Sequence, residues 1–213
     1  MENPVIIFGA NTIGRIAKDI FENNGNVVYG FLDDTKSLHH TELDEVVVLG
    51  ATDDDGFLKL IGKKCEAFVA SDDIKLKKHL TDMINEVRHV QTVNAIHKDS
   101  SLGSHVELGH GNLIDRGARL APGVKLGNHC IIHANAVIGV GTTLGDYVQV
   151  GPGSVIGDGV TIENESFIGA SVTIVANLTI SEKARIGAGS VVIAPVKKGE
   201  TVFGNPAQKV NNA

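Results

Sequence analysis

From Leu102 to about Val196 the chain repeats itself every six residues. Every hexad in that register opens on Leu, Ile or Val, from Leu102, Leu108 and Ile114 through to Ile180, Ile186 and Val192. The fifth place is small or mildly apolar, as in Ala118, Val124, Cys130, Ala136 and Ser154, and the second is mostly Gly. A period of six excludes a helix, whose faces recur every 3.6 residues and whose stability falls with each Gly. Six residues suffice for one short strand and one corner, and three such units close a triangular coil. Successive coils stack at about the inter-strand spacing of 4.8 Å, so the repeat predicts a prism roughly 25 Å tall. Each coil buries its aliphatic ring only against the coils above and below it. The expected fold is an all-β parallel β-helix, with the second-place Gly taking corner dihedrals that a Cβ resists.

The repeat occupies the second half of a 213-residue chain, which leaves the first half for a separate fold. The expected domains are 1–95 and 96–213. Residues 5–8 form an apolar run that ends in Gly9-Ala10-Asn11-Thr12-Ile13-Gly14, and Ile13, Ile16, Ala17, Ile20 and Phe21 then recur at helical spacing. A second strand over 27–32 closes on Asp33-Asp34. Further on, the pattern predicts strands at 46–49, 67–70 and 89–93 and helices at 53–61 and 72–86. Strands alternating with helices imply a small parallel sheet covered by helices. Net charge is −6 with no basic run, which argues against nucleic acid as a partner. The absence of a long apolar stretch argues against membrane insertion or a signal peptide and points to the cytoplasm. Cys65 and Cys130 make no disulfide framework, and Cys130 falls on an inward repeat position.

The turn at Gly9–Gly14 is one candidate site. Amides at a helix N-terminus suit a pyrophosphate, and acidic residues after the next strand suit ribose or base donors. The dinucleotide fingerprint wants Gly where Asn11 stands, and no Lys-Ser/Thr follows for a P-loop. By themselves these residues fit a ligand cradle and a plain strand-to-helix connection about equally well.

The glycine turn, Phe31-Leu32-Asp33-Asp34, the Ala95-Ile96-His97 junction, the hexads and the closing Phe203-Gly204-Asn205-Pro206-Ala207 together resemble the bacterial sialic-acid O-acetyltransferase and UDP-amino-sugar N-acetyltransferase family, within the hexapeptide-repeat acyltransferases. The resemblance implies a Rossmann-like first domain and a left-handed β-helix, working as a homotrimer. It implies that Asn11, Thr12, Ile13, Asp33, Asp34 and Ser71 bind a nucleotide-sugar. It places acetyl-CoA along the prism edge at Ala170 and Ala188, with Gln149 near the thioester, and requires no metal.

The family's general base is a His in the third place of one hexad, and here that place holds Val140. Acyl transfer to a sugar ammonium needs the nitrogen to lose a proton. His133 stands at an eighteen-residue step below Gly151, Gly169 and Gly187, on the implied CoA edge, and is the substitute base expected. His105, His110 and His129 are expected at the surface or an interface. Transfer without a side-chain base, and a non-catalytic nucleotide-sugar-binding trimer, are the alternatives. A zinc site built from His105, His110, His129 and His133 is disfavoured, because their spacings of five and four do not stack.

Overall fold

A computed structural model describes residues 3–210, and the chain divides into two compact units between Lys98 and Asp99. In the first unit, β1 (Val5–Phe8), α1 (Thr12–Asn23), β2 (Val28–Leu32), β3 (Glu42–Leu43), β4 (Val46–Gly50), α2 (Asp55–Leu58), β5 (Glu66–Val69) and α3 (Ile74–Arg88) follow in order. The sheet runs β3-β4-β2-β1-β5, parallel throughout except for β3. All four residues of β1 are buried, as a strand covered on both faces requires. Helix α1 turns Ile13, Ala17, Ile20 and Phe21 inward, and the Phe21 ring meets Phe68 edge-on at 5.7 Å. Ile6, Phe8, Leu32, Leu58, Val69, Leu80 and Ile84 form the core on the other side of the sheet. Strand order grows from β1 through β2 to β4 and then returns to place β5 on the far side of β1. The carboxyl ends of β1 and β5 therefore flank a topological switch point, where open α/β sheets bind ligands.

Three elements differ from the sequence pattern. The helix expected at 53–61 is a single turn, with Gly56 inside it and Gly62 at φ +73° beyond it, where the amides of Lys64 and Cys65 both bond to the Leu60 carbonyl. The strand expected at 89–93 does not form. His89 ends α3 in a left-handed conformation, and Val93 gives one hydrogen bond to Ala67 without building a ladder. The pattern also missed the β3–β4 hairpin, whose two-residue turn puts Asp44 and Glu45 at positive φ. Such turns favour Asn-Gly, so Asp-Glu gave no signal. The carboxylate of Asp44 receives two hydrogen bonds from Arg15, which ties the hairpin tip to α1.

The second unit is the predicted prism. Strand pairs stack in register at eighteen-residue steps on three faces. The first face carries Ile131–Ile132, Gln149–Val150, Phe167–Ile168 and Arg185–Ile186. The second carries Val137–Ile138, Val155–Ile156 and Thr173–Ile174, and the third Thr143–Leu144, Thr161–Ile162 and Thr179–Ile180. The hexad openings from Ile114 onward are buried, whereas Leu102 in the first coil is 41% exposed. Cys130 is a buried core residue, and both cysteines are free thiols.

The corners work differently from the expectation. Positive φ falls on the fourth place of each hexad, from His105 through Asn135 and Gly141 to Gly189, and the second-place Gly do not adopt it. Those Gly are selected by space: a Cβ at Gly151 would stand 2.6 Å from the Ala170 nitrogen, and one at Gly169 2.6 Å from the Ala188 nitrogen. Close approach of stacked backbones sets the glycine pattern.

Candidate functional site

At the switch point of the first unit, Asn11 caps α1 by accepting from the Gly14 amide (3.1 Å) and donates its own amide to the Ala70 carbonyl (2.8 Å). It thus joins the ends of β1 and β5. Gly9 is at φ +113°, and a side chain there would run into the Ala70 carbonyl. Asp33 accepts from the Ala10 amide (2.8 Å) and the Thr35 amide (2.8 Å), so the acidic residue after β2 holds the turn after β1. Burial alone would raise the Asp33 pKa, but bonds from Thr35 and Ala10 and the field of His39 outweigh it and leave it below the usual carboxylate value. Asp34 accepts from both the amide and the hydroxyl of Thr52 (2.9 Å each). Ser71 is buried and accepts from the Asp73 amide at 3.1 Å. Thr12 is exposed, whereas the Ile13 side chain lies in the core, so only its backbone faces the turn. The six residues singled out in the sequence therefore lie at the carboxyl ends of β1, β2 and β5, around the switch point. The sequence pattern missed Thr52 and His39, whose Nε2–H donates to the Asp33 carbonyl at 2.7 Å. Neither sits in a motif.

In the prism the three corners differ in what they do with the third-place amides. On the corner after the third face, an Asx ladder occupies them. Asn128 accepts from the His110 amide (3.0 Å), Asp146 from the Asn128 amide (2.7 Å) and Asn164 from the Asp146 amide (2.9 Å). On the corner after the second face, Asp158 does the same for Val140 at 2.8 Å. The corner after the first face has Ala134, Pro152, Ala170 and Ala188 in these places, none with a side-chain acceptor. Among the described residues no hydrogen bond uses the Ala170 or Ala188 N–H. This edge presents stacked peptide donors to a ligand.

His133 and Gln149 come together on that edge. Their Nε2 atoms lie 3.2 Å apart, and both residues are half-buried. Asp115 stands one coil below His133 in the same column and could have been found by counting back eighteen residues. Phe167 follows Gln149 on the face, with the Arg185 guanidinium 4.7 Å from its ring centroid. Val140 lies on a different corner and is 52% exposed. His129, expected at the surface or an interface, is buried within its own chain by a stack on Tyr147 with centroids 5.0 Å apart. Of the four histidines of the disfavoured zinc reading, His110 and His129 share one corner while His105 and His133 lie on the other two, and no metal-holding cluster of three His, Cys, Asp or Glu occurs among the described residues.

Comparison with known proteins identifies the repeat and the fold. The model "Bacterial transferase hexapeptide (six repeats)" matches residues 105–139 and 141–176, and "Hexapeptide repeat of succinyl-transferase" matches 123–158 and 159–194. Residues 105–194 thus carry the bacterial transferase hexapeptide repeat. No curated protein matches the chain. Among solved structures, a point mutant of perosamine N-acetyltransferase from Caulobacter crescentus, in complex with CoA and GDP-perosamine, has a TM-score of 0.90 at 24% identity, covering 100% of this chain and 99% of that one. The acetyltransferase domain of PglB from Neisseria gonorrhoeae, in complex with acetyl coenzyme A, gives 0.89 at 20%, covering 99% and 100%. WeeI from Acinetobacter baumannii gives 0.84 at 23%, covering 97% and 99%. These likenesses are of fold, and the hexapeptide unit fits the left-handed β-helix they share. No described helix is long and apolar enough to cross a membrane.

Proposed function

We propose that the protein is an acetyl-CoA-dependent acetyltransferase acting on an amino sugar carried by a nucleotide. The observation that carries this reading is the bare corner of the hexapeptide unit, where the Ala170 and Ala188 amides stack at one coil spacing with no side-chain acceptor in reach. A pantetheine arm carries amide carbonyls suited to such donors, and the neighbours of like fold were crystallised with CoA or acetyl coenzyme A. The crevice at Asn11, Thr12, Ile13, Asp33, Asp34 and Ser71 takes the nucleotide, and Gln149 stands at the thioester end. Val137, Val155, Val175 and Ile193 are large apolar residues exposed on the second face and its corner, which fits a homotrimer.

In the transfer, the sugar nitrogen attacks the thioester carbonyl, forming C–N and breaking C–S. His133 takes the proton lost by nitrogen and returns it to the CoA sulfur. N-acetylation is favoured over O-acetylation because a neutral amine attacks a thioester with less help than a hydroxyl, and Val140 leaves the family's usual base position without a proton acceptor. Thiol release from acetyl-CoA with a panel of nucleotide-linked 4-amino sugars tests the reading. Turnover that falls at least a hundredfold in His133→Ala is expected. Val140 favours a second reading, a non-catalytic nucleotide-sugar-binding trimer. Sugar-nucleotide binding with no thiol release from any acceptor would establish it over the first.

A further inference from the structure

We infer that Gln149 is a positioning residue that holds His133 neutral, with its ring proton on Nδ1, and this rests on the reading of His133 as the base. Two nitrogens 3.2 Å apart bond only if one donates to a lone pair on the other. The amide nitrogen of Gln149 has no lone pair to offer, so it donates and His133 Nε2 accepts. The ring so bonded is neutral, and its proton is on Nδ1.

The strand holds Gln149 in the required place. Its side chain projects from the first face between Ile131, one coil below and 3% exposed, and Phe167, one coil above. Phe167 is in turn covered by Arg185. Two residues after Gln149, Gly151 stacks directly over His133 and carries no side chain to intervene. The backbone of the next coil, at Ala170, keeps it Gly. Charged groups in the neighbouring coils include Asp115, one coil below and bonded to the Arg116 amide at 2.6 Å, Arg116 itself, paired with Asp99 at 3.7 Å, and Arg185 beyond Phe167. A proton arriving at Nε2 would face the amide N–H, so the Gln149 amide must turn over and present Oε1. One half-turn of this group then matches each protonation state of the base, which a fixed donor or a fixed carboxylate could not do.

Nitrogen NMR on the full-length, histidine-labelled protein, without ligand, tests this directly. The wild type is expected to show His133 with the proton on Nδ1. In Gln149→Leu the ring should revert to the Nε2–H form that free imidazole prefers. In Gln149→Glu the carboxylate accepts from Nε2–H, and the His133 pKa should rise by about one unit, a tenfold gain in proton affinity. An Nε2–H ring in the wild type, or a titration unmoved by Gln149→Glu, overturns the inference. The role of His133 is judged separately, from the acid limb of kcat/KM. If the ring's pKa rises in Gln149→Glu while that limb stays in place, Gln149 sets the state of His133 but His133 is not the base.

Discussion

The two candidate binding regions treat their polar groups in opposite ways. In the crevice of the first unit, the groups that could meet a ligand already bond to one another: Asp33 to Ala10 and Thr35, Asn11 to Gly14 and Ala70, Asp34 to Thr52. On the bare corner of the prism, stacked amides are left without acceptors, although the same repeat fills such amides with Asx side chains on its other two corners. Ala170 is half-buried and Ala188 exposed, so both amides are open to a ligand that carries acceptors. The crevice is preorganised before its ligand arrives. The corner is completed by its ligand.

The sharpest way to break this contrast is to close the bare corner by force. Gly169→Val would put a Cβ 2.6 Å from the Ala188 nitrogen, against backbone that has nowhere to move within the stack. The cost expected is about 3 kcal/mol, at the upper end for overpacking, and a fall in the thermal midpoint of the prism should register it. A midpoint unchanged within error would mean that the coils yield more readily than the stacking implies.

Next in size is the crevice. Asp33→Ala strips the acceptor from two turn amides at once, Ala10 and Thr35. Bonds to a charged group contribute about 1.5–3 kcal/mol, so a loss of about 2 kcal/mol in urea unfolding is expected. If nucleotide-sugar affinity falls while stability holds, Asp33 is a ligand contact and not a brace of the turn. Ala188→Asn probes the corner more gently, by placing at 188 the kind of residue that caps the preceding amide elsewhere in the prism. The new side chain should accept from the Ala170 N–H as Asn164 accepts from Asp146. Acetyl-CoA affinity should drop about tenfold, roughly 1.4 kcal/mol, with thermal stability unchanged or slightly higher. Unchanged affinity in calorimetry would show that CoA does not use this edge.

How legible these regions were follows from the same physics. A repeat whose inward places are strictly aliphatic announces the prism, because the core of each coil is set by one residue type at one spacing. Column counting put His133 on the edge that carries Ala170 and Ala188, and the family resemblance added Gln149 near the thioester. What it could not supply was the reason for the glycines. Composition shows Gly at the second place but cannot tell a positive φ from a close backbone approach, and here the positive φ fell on the fourth place, where His129, Asn135 and Tyr147 adopt it. The first unit was less legible because its short elements depend on tertiary partners. The 53–61 pattern reads as a helix until Gly62 and the Leu60 carbonyl end it, and the Asp44-Glu45 turn carries no hairpin signature. The Asx ladders lay in plain view in the sequence, at Asn128, Asp146 and Asn164. Their meaning appeared only when each was seen capping the coil before it.

The smallest expected effect separates the two regions by pH. Hydrogen bonds from Thr35 and Ala10 hold the Asp33 carboxylate below its ordinary pKa despite burial, whereas the bare corner contains no titrating group among Ala134, Pro152, Ala170 and Ala188. A carboxylate whose folded pKa is depressed lends stability that is fully present above the unfolded value, about 3.9, and that is lost as pH falls through the folded value. Asp33→Asn keeps the shape and removes the titration, so the wild type should exceed it in stability at pH 7, and the gap should close as the pH falls from about 5 toward 2. Because Asp33 is only partly buried, solvent screening keeps the gap under about 1 kcal/mol. Urea midpoints of the two proteins at pH 7 and pH 3 measure it, with a fluorescence or hydrogen-exchange probe in the first unit. A gap that persists unchanged at low pH would mean the brace works through neutral hydrogen bonds alone. The charge of Asp33 would then contribute nothing to the stability of the turn it braces.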